Sequence, residues 1–251
     1  MENTGKKLLP GRDVVCRRLW EIADEEYRQF HSRLCPGTER ILGVRTPKLR
    51  KYAREIIKEY GQQVVSRDFY TLQADYEDLY YEEKVLTGML LGLWKAPSLQ
   101  EMERMLRLFL PLIDNWAVCD ITCGGLKYIG KHREYFYPVL QEYLKSREAY
   151  TVRFGVVLLM NYYMDEAYVK ELFLLYEQIH HEDYYVKMAV AWAYSMLLIK
   201  FYPSAYEFLK DCSLDRMTFQ KTIQKACESR RITDVQRQEL RELKKIREQK
   251  A

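Results

Sequence analysis

The sequence predicts an all-α fold, a curved α-solenoid of antiparallel helix pairs, on three observations. First, a basic residue returns on a near-constant beat at Arg50, Lys84, Arg153, Lys187 and Lys221, with 34 residues between neighbours and 69 across one skipped slot. Second, the wording around the beats is alike: Tyr81-Glu-Glu-Lys-Val-Leu, Tyr150-Thr-Val-Arg-Phe-Gly, Tyr185-Val-Lys-Met-Ala-Val and Met217-Thr-Phe-Gln-Lys-Thr each lead from a bulky residue into an apolar run. Third, Gly and Pro, 11 and 7 of 251 residues, are scarce enough to favour helices over sheets. Repeats of this length mark helix pairs that cannot bury their apolar faces alone and therefore stack, displaying the same position of each repeat on one wall. That wall would be basic.

The elements follow in order within one domain spanning residues 1–251. Residues 1–40 depart from the beat and read as an N-terminal helical cap, with a helix over 20–34 closed by a turn at Cys35-Pro36-Gly37-Thr38. Thr46-Pro47 reads as an N-cap followed by Pro at the first helical position, and Gly61 closes that helix. A helix with an almost wholly apolar middle is expected over 79–95, and again over 152–163 and 186–200; these are inner-layer helices. Pro97-Ser98-Leu-Gln-Glu101 reads as a capping box opening another helix. Residues 167–179 carry apolar residues at three- and four-residue spacing with charges between, the pattern of a half-exposed outer helix. His180-His181 lack metal-ligand company and belong on a loop.

Composition excludes several function classes. The net charge of +4 is too small to announce a polyanion partner by itself, so the argument must rest on where the charges sit. Residues 228–251 form a charged C-terminal helix with eight Lys or Arg and five Asp or Glu. That segment fits a solvated terminal helix better than a phosphate-binding arm. The six cysteines (Cys16, Cys35, Cys119, Cys123, Cys212 and Cys227) lack paired Cys-x-x-Cys spacing, so neither zinc nor another metal is expected and no cofactor is implied. With no signal peptide, they read as reduced thiols of a cytoplasmic protein, several of them buried. The longest apolar runs are too short to span a bilayer, so no membrane partner is expected.

The skipped slot carries the chemistry. Where a basic residue is due, near position 118, the chain reads Asp114-Asn-Trp-Ala-Val-Cys-Asp120, placing Trp116 and Asp120 at i and i+4 on one helix face. Trp192 follows Lys187 by five residues. If their helices line the same wall, two indoles, one carboxylate and Arg153 converge there. Indole faces and a carboxylate attract a cation, while Arg and Lys grip phosphates, a combination suited to a cationic centre on a polyanion. Taken singly, Asp120 fits a cap or an ion-pair partner, and each Trp fits a packed core.

Together, Ile41-Leu-Gly-Val-Arg-Thr-Pro47, Trp116-Ala-Val-Cys-Asp120, Arg153-Phe-Gly-Val-Val-Leu-Leu and Met188-Ala-Val-Ala-Trp192, in this order and spacing, resemble the AlkD family of alkylpurine DNA glycosylases, built of HEAT-like helical repeats. The resemblance spans most of the chain. It implies a monomer that excises positively charged N7- and N3-alkylated purines from double-stranded DNA without taking the base into a pocket. By the same resemblance Asp120 matches the catalytic carboxylate, Trp116 and Trp192 the aromatic pair that embraces the lesion's backbone, and Arg153 the arginine beside it. Tyr27 or Phe30 matches the aromatic from the N-terminal helices. The chain departs from the family at Arg45, which stands where the family has a polar residue after its Leu-Gly-Ile turn, and at Asn161, which stands where the family has a lysine.

Arg45, Arg50, Lys84, Lys187 and Lys221 are expected on the DNA backbone, since phosphate contacts give affinity without sequence specificity. The alternatives are a scaffold of the same fold that binds nucleic acid or protein without turnover, and an adaptor that binds a protein on its concave face.

Overall fold

The computed structural model describes residues 9–66 and 68–250, so positions 1–8 of the expected cap and the final residue of the expected terminal helix lie outside it. The described residues form fourteen α-helices, a few short 3-10 turns and no strand. They group into two compact units, one ending at His132 and the other beginning at Arg133.

The first unit comprises α1 (Arg12–Glu21), α2 (Glu25–Leu34), α3 (Thr46–Tyr60), α4 (Tyr81–Leu93), α5 (Leu99–Phe109), α6 (Trp116–Gly125) and the short α7 (Lys127–Lys131). The helix expected over 20–34 is in fact two, broken at Ile22–Asp24. The Asp24 amide turns to the carbonyl of Gly43 (3.1 Å), and the Asp24 side chain accepts from the Tyr27 amide (2.9 Å), capping α2. Gly43 has φ +91°, and a Cβ there would collide with the backbone at Asp24 and Arg28, so both conformation and space require glycine. The α3 cap lies one residue earlier than expected, at Arg45, with Pro in the first turn and Gly61 closing the helix as expected. Half of the expected capping box forms: Ser98 accepts from the Glu101 amide (3.1 Å), while the Glu101 carboxylate pairs with Arg104 (2.6 Å).

Helix α4 organises this unit. It packs against α3, α5 and α6, and its first turn buries three consecutive ionisable residues, each held by a different neighbour. Glu82 accepts from the amides of Leu42, Gly43 and Val44 (2.9, 2.7 and 3.0 Å). Glu83 accepts from Arg12 (3.1 Å) and the Tyr80 amide (2.8 Å). Lys84 donates to Asp114 (2.5 Å). Further along, Gly88 and Gly92 let α6 approach closely: a methyl at Gly88 would strike the Thr122 side chain, and one at Gly92 would lie 2.9 Å from the Gly125 carbonyl oxygen.

His31, 5% exposed, sits between the rings of Tyr27 (5.6 Å) and Tyr81 (4.6 Å). Burial lowers its pKa from the usual 6.5. The unfolded chain therefore takes up this proton first, and stability should fall as the pH drops below about 6.5 toward the folded-state value. The thermal midpoint measured from pH 7.5 to 5 should decline less steeply in His31→Phe; parallel curves would remove this assignment.

The second unit comprises α8 (Arg133–Tyr143), α9 (Ala149–Tyr162), α10 (Val169–Glu177), α11 (Tyr184–Lys200), α12 (Tyr202–Asp211), α13 (Arg216–Glu228) and α14 (Asp234–Lys250). Its inner helices α9, α11 and α13 pack side by side, with α8, α10, α12 and α14 each against one of them. The expected inner helices are thus present with ends shifted by up to three residues, and His180 and His181 lie on the α10–α11 loop. All six cysteines are free thiols, four of them buried. Among the described residues no helix is long and apolar enough to cross a membrane.

Candidate functional site

The beat in the sequence is a structural register. Arg50, Lys84, Asp120, Arg153, Lys187 and Lys221 are each the fourth, fifth or sixth residue of α3, α4, α6, α9, α11 and α13. Within the first unit α3 packs on α4 and α4 on α6; within the second, α9 packs on α11 and α11 on α13. Each unit thus presents three equivalent positions from adjacent helices, and the single acid among the six is Asp120.

Trp116 is the first residue of α6 and Asp120 stands one turn later, both half-buried. Two devices fix this helix start. The Asn115 side chain accepts from the amides of Ala117 and Val118 (both 3.0 Å), satisfying two otherwise free donors. Asn115 is itself held by Asp114 (2.8 Å), and Asp114 by Lys84. The Trp116 indole N–H donates to the carbonyl of Leu34 (3.1 Å), tying α6 to the end of α2.

That second contact brings the α2 aromatics into the neighbourhood. Phe30, 56% exposed, lies one turn before Leu34, and its ring is 6.2 Å from that of Tyr27. Tyr27 in turn lies under the Arg45 guanidinium (4.9 Å), and Arg45 pairs with Asp24 (2.9 Å). The Tyr27 amide and the Arg45 guanidinium hold the Asp24 carboxyl below the usual carboxylate range.

The cations of the row are not equivalent. Arg50 is exposed. Lys84, expected on the DNA backbone, is instead 5% exposed and committed to Asp114, because the chain before α6 brings that acid over the α4 start. Arg153 is 6% exposed and donates to the Tyr185 carbonyl (2.8 Å), joining α9 to α11. Lys187 pairs with Glu182 (2.8 Å), and Lys221 donates to Gln224 (3.0 Å). Trp192 is half-buried on α11, and Asn161 is exposed on α9. Among the described residues no group of three or more His, Cys, Asp or Glu is arranged to hold a metal ion.

Glu82 and Asn115 escaped the sequence reading. Asn directly before a helix is a capping signal that was available; the three amides bound by Glu82 lie about forty positions upstream and leave no local trace. Asn115→Ala should lower unfolding stability by about 1–2 kcal/mol for the lost cap. It should also reduce any activity of the Trp116–Asp120 face, and a chemical-denaturation midpoint equal to the native one would refute the capping role.

No match was found among curated proteins or solved structures. The family model described as DNA alkylation repair enzyme matches residues 15–225, which cover the Ile41–Pro47 turn, the Trp116–Asp120 helix and all six positions of the row. The chain belongs to the DNA alkylation repair enzyme family.

Proposed function

We propose that the protein is a DNA glycosylase that hydrolyses the N-glycosidic bond of positively charged N7- and N3-alkylated purines in double-stranded DNA, on a scaffold of HEAT-like helix pairs. The observation that carries the reading is one acid, Asp120, in a register otherwise filled by Lys and Arg, one turn from Trp116 on a capped helix of a DNA alkylation repair protein.

An alkylated purine already bears positive charge, so it leaves with the bonding electron pair and needs no general acid. What the reaction requires is stabilisation of the oxocarbenium-like sugar and a placed water. Asp120 supplies a negative charge for the electron-poor deoxyribose, and its oxygens orient the water whose oxygen joins C1′ and whose proton it accepts. The Trp116 and Trp192 faces serve the lesion's sugar-phosphate, with no pocket for the base, and Tyr27 and Phe30 extend the aromatic surface; Arg153 must first give up its bond to the Tyr185 carbonyl to join them. Arg45, Arg50, Lys187 and Lys221 hold phosphates. Arg45 and Lys187 must exchange carboxylate partners for phosphate to do so. Lys84 acts through Asp114 and Asn115 on the start of α6 rather than on DNA.

The test is release of N7-methylguanine and N3-methyladenine from methylated duplex DNA under single-turnover conditions. Release is the expected result. No release, with salt-sensitive duplex binding retained, would make the protein a binding scaffold.

A further inference from the structure

Within the first unit, α3, α4, α6 and α7 enclose a groove of about 250 Å³, well above the ~10–15 Å³ that one water needs. Three cations line it, Arg50, Arg54 and Lys127, and no acid does. All three are exposed, and none forms an ion pair among the described residues. Arg50 and Arg54 stand at i and i+4 on α3, a spacing at which like charges repel by a few tenths of a kcal/mol. Nearby Glu55 does not relieve them, since it pairs with Lys51 (3.9 Å).

The floor adds an independent observation. Gly124 lies in the last turn of α6, one turn beyond Asp120, and glycine there still disfavours the helix relative to Ala, by less than the about 1 kcal/mol it costs in a helix interior. Nothing in the protein requires it: a Cβ there would meet no atom within 4 Å, and its φ is not positive. Gly92, by contrast, is explained by its close approach to Gly125. An exposed helical glycine with neither a packing nor a conformational reason leaves room for something outside the chain. The remaining lining is apolar, with Met89, Leu93 and Ile121 among it, a surface suited to the face of a sugar.

We infer that this groove is a phosphodiester-binding site, in which Arg50, Arg54 and Lys127 grip one phosphate of duplex DNA over Gly124, one helical turn from Asp120. The inference rests on the glycosylase reading for its ligand and adds Arg54, Gly124 and Lys127 to the DNA-binding residues. By holding the backbone beside Asp120 the groove sets the register of the target sugar against the carboxylate.

The test measures duplex affinity as a function of salt by fluorescence anisotropy, using an undamaged duplex and one carrying a tetrahydrofuran abasic analogue. The proteins compared are the native chain, an Arg54→Gln/Lys127→Gln double variant, Gly124→Leu, and Lys51→Gln as a charge control outside the groove. Losing one phosphate contact should lower the slope of log affinity against log salt by about 0.9 in the double variant. Gly124→Leu, which fills the floor without changing charge, should weaken binding about tenfold while thermal stability stays at or above the native value. Lys51→Gln should leave the slope unchanged.

A native slope in the double variant, or an equal drop in Lys51→Gln, overturns the site. So does failure of the native protein to bind duplex DNA. Excision assayed on the same preparations separates the two readings. A native chain that releases alkylpurines while the groove variants keep its slope loses only the groove, and one that releases none while the slope falls as expected loses only the glycosylase assignment.

Discussion

Replacing Asp120 by Asn is expected to lower single-turnover release of N7-methylguanine by roughly 10³-fold while leaving duplex affinity unchanged, because removing one preorganised electrostatic group from a site of developing charge typically costs that much. The substitution keeps shape and hydrogen-bonding capacity on a half-buried helix face, so α6 should retain its Asn115 cap and its Trp116–Leu34 tie. What disappears is the negative charge facing a positive sugar. A second variant sharpens the test. Asp120→Arg restores the basic register shared by the other five positions, and should bind undamaged duplex at least as tightly as the native protein yet release no base. An Asp120→Asn protein that excised at the native rate would place the catalyst elsewhere, and an Asp120→Arg protein that lost DNA binding would show that this face of α6 does not meet the phosphates.

The register itself was legible in the sequence because it is a local property repeated. A 34-residue beat and, at four of the beats, a bulky-to-apolar transition survive in the text, and the structure places all six positions near the start of a helix, three in each unit. What the sequence concealed depends on partners distant along the chain. The break between α1 and α2 is made by the Gly43 carbonyl, about twenty residues from Asp24. Lys84 looks like any other member of the row until Asp114, 30 residues on, is brought over it. Nor does periodicity distinguish a cation that faces solvent, such as Arg50, from one such as Arg153, which is buried and donates to the carbonyl of Tyr185 on the next inner helix.

Glu82 is the strongest case of such a hidden partner, and Glu82→Ala should destabilise the protein by about 3–5 kcal/mol, because it strands three buried backbone donors. Burial raises its pKa above the ordinary carboxylate value, and the amides of Leu42, Gly43 and Val44 pull in the opposite direction by favouring the charged form. Truncation relieves the desolvation but leaves three buried N–H groups without acceptors, at about 1–3 kcal/mol each, so the loss outweighs the relief. Glu82→Gln should cost less. Gly43 and Val44 both donate to Oε1, which an amide oxygen can replace, whereas Leu42 donates to Oε2, where the amide nitrogen would set donor against donor. The order native, Gln, Ala in denaturant midpoint is therefore the expected result, and an Ala variant within about 1 kcal/mol of native would show that water or backbone movement satisfies the turn instead. Because the clamped residues run directly into Arg45 and the start of α3, a loosened turn should also weaken DNA binding through Arg45 before the protein unfolds, which joins the buried carboxylate to the surface it supports.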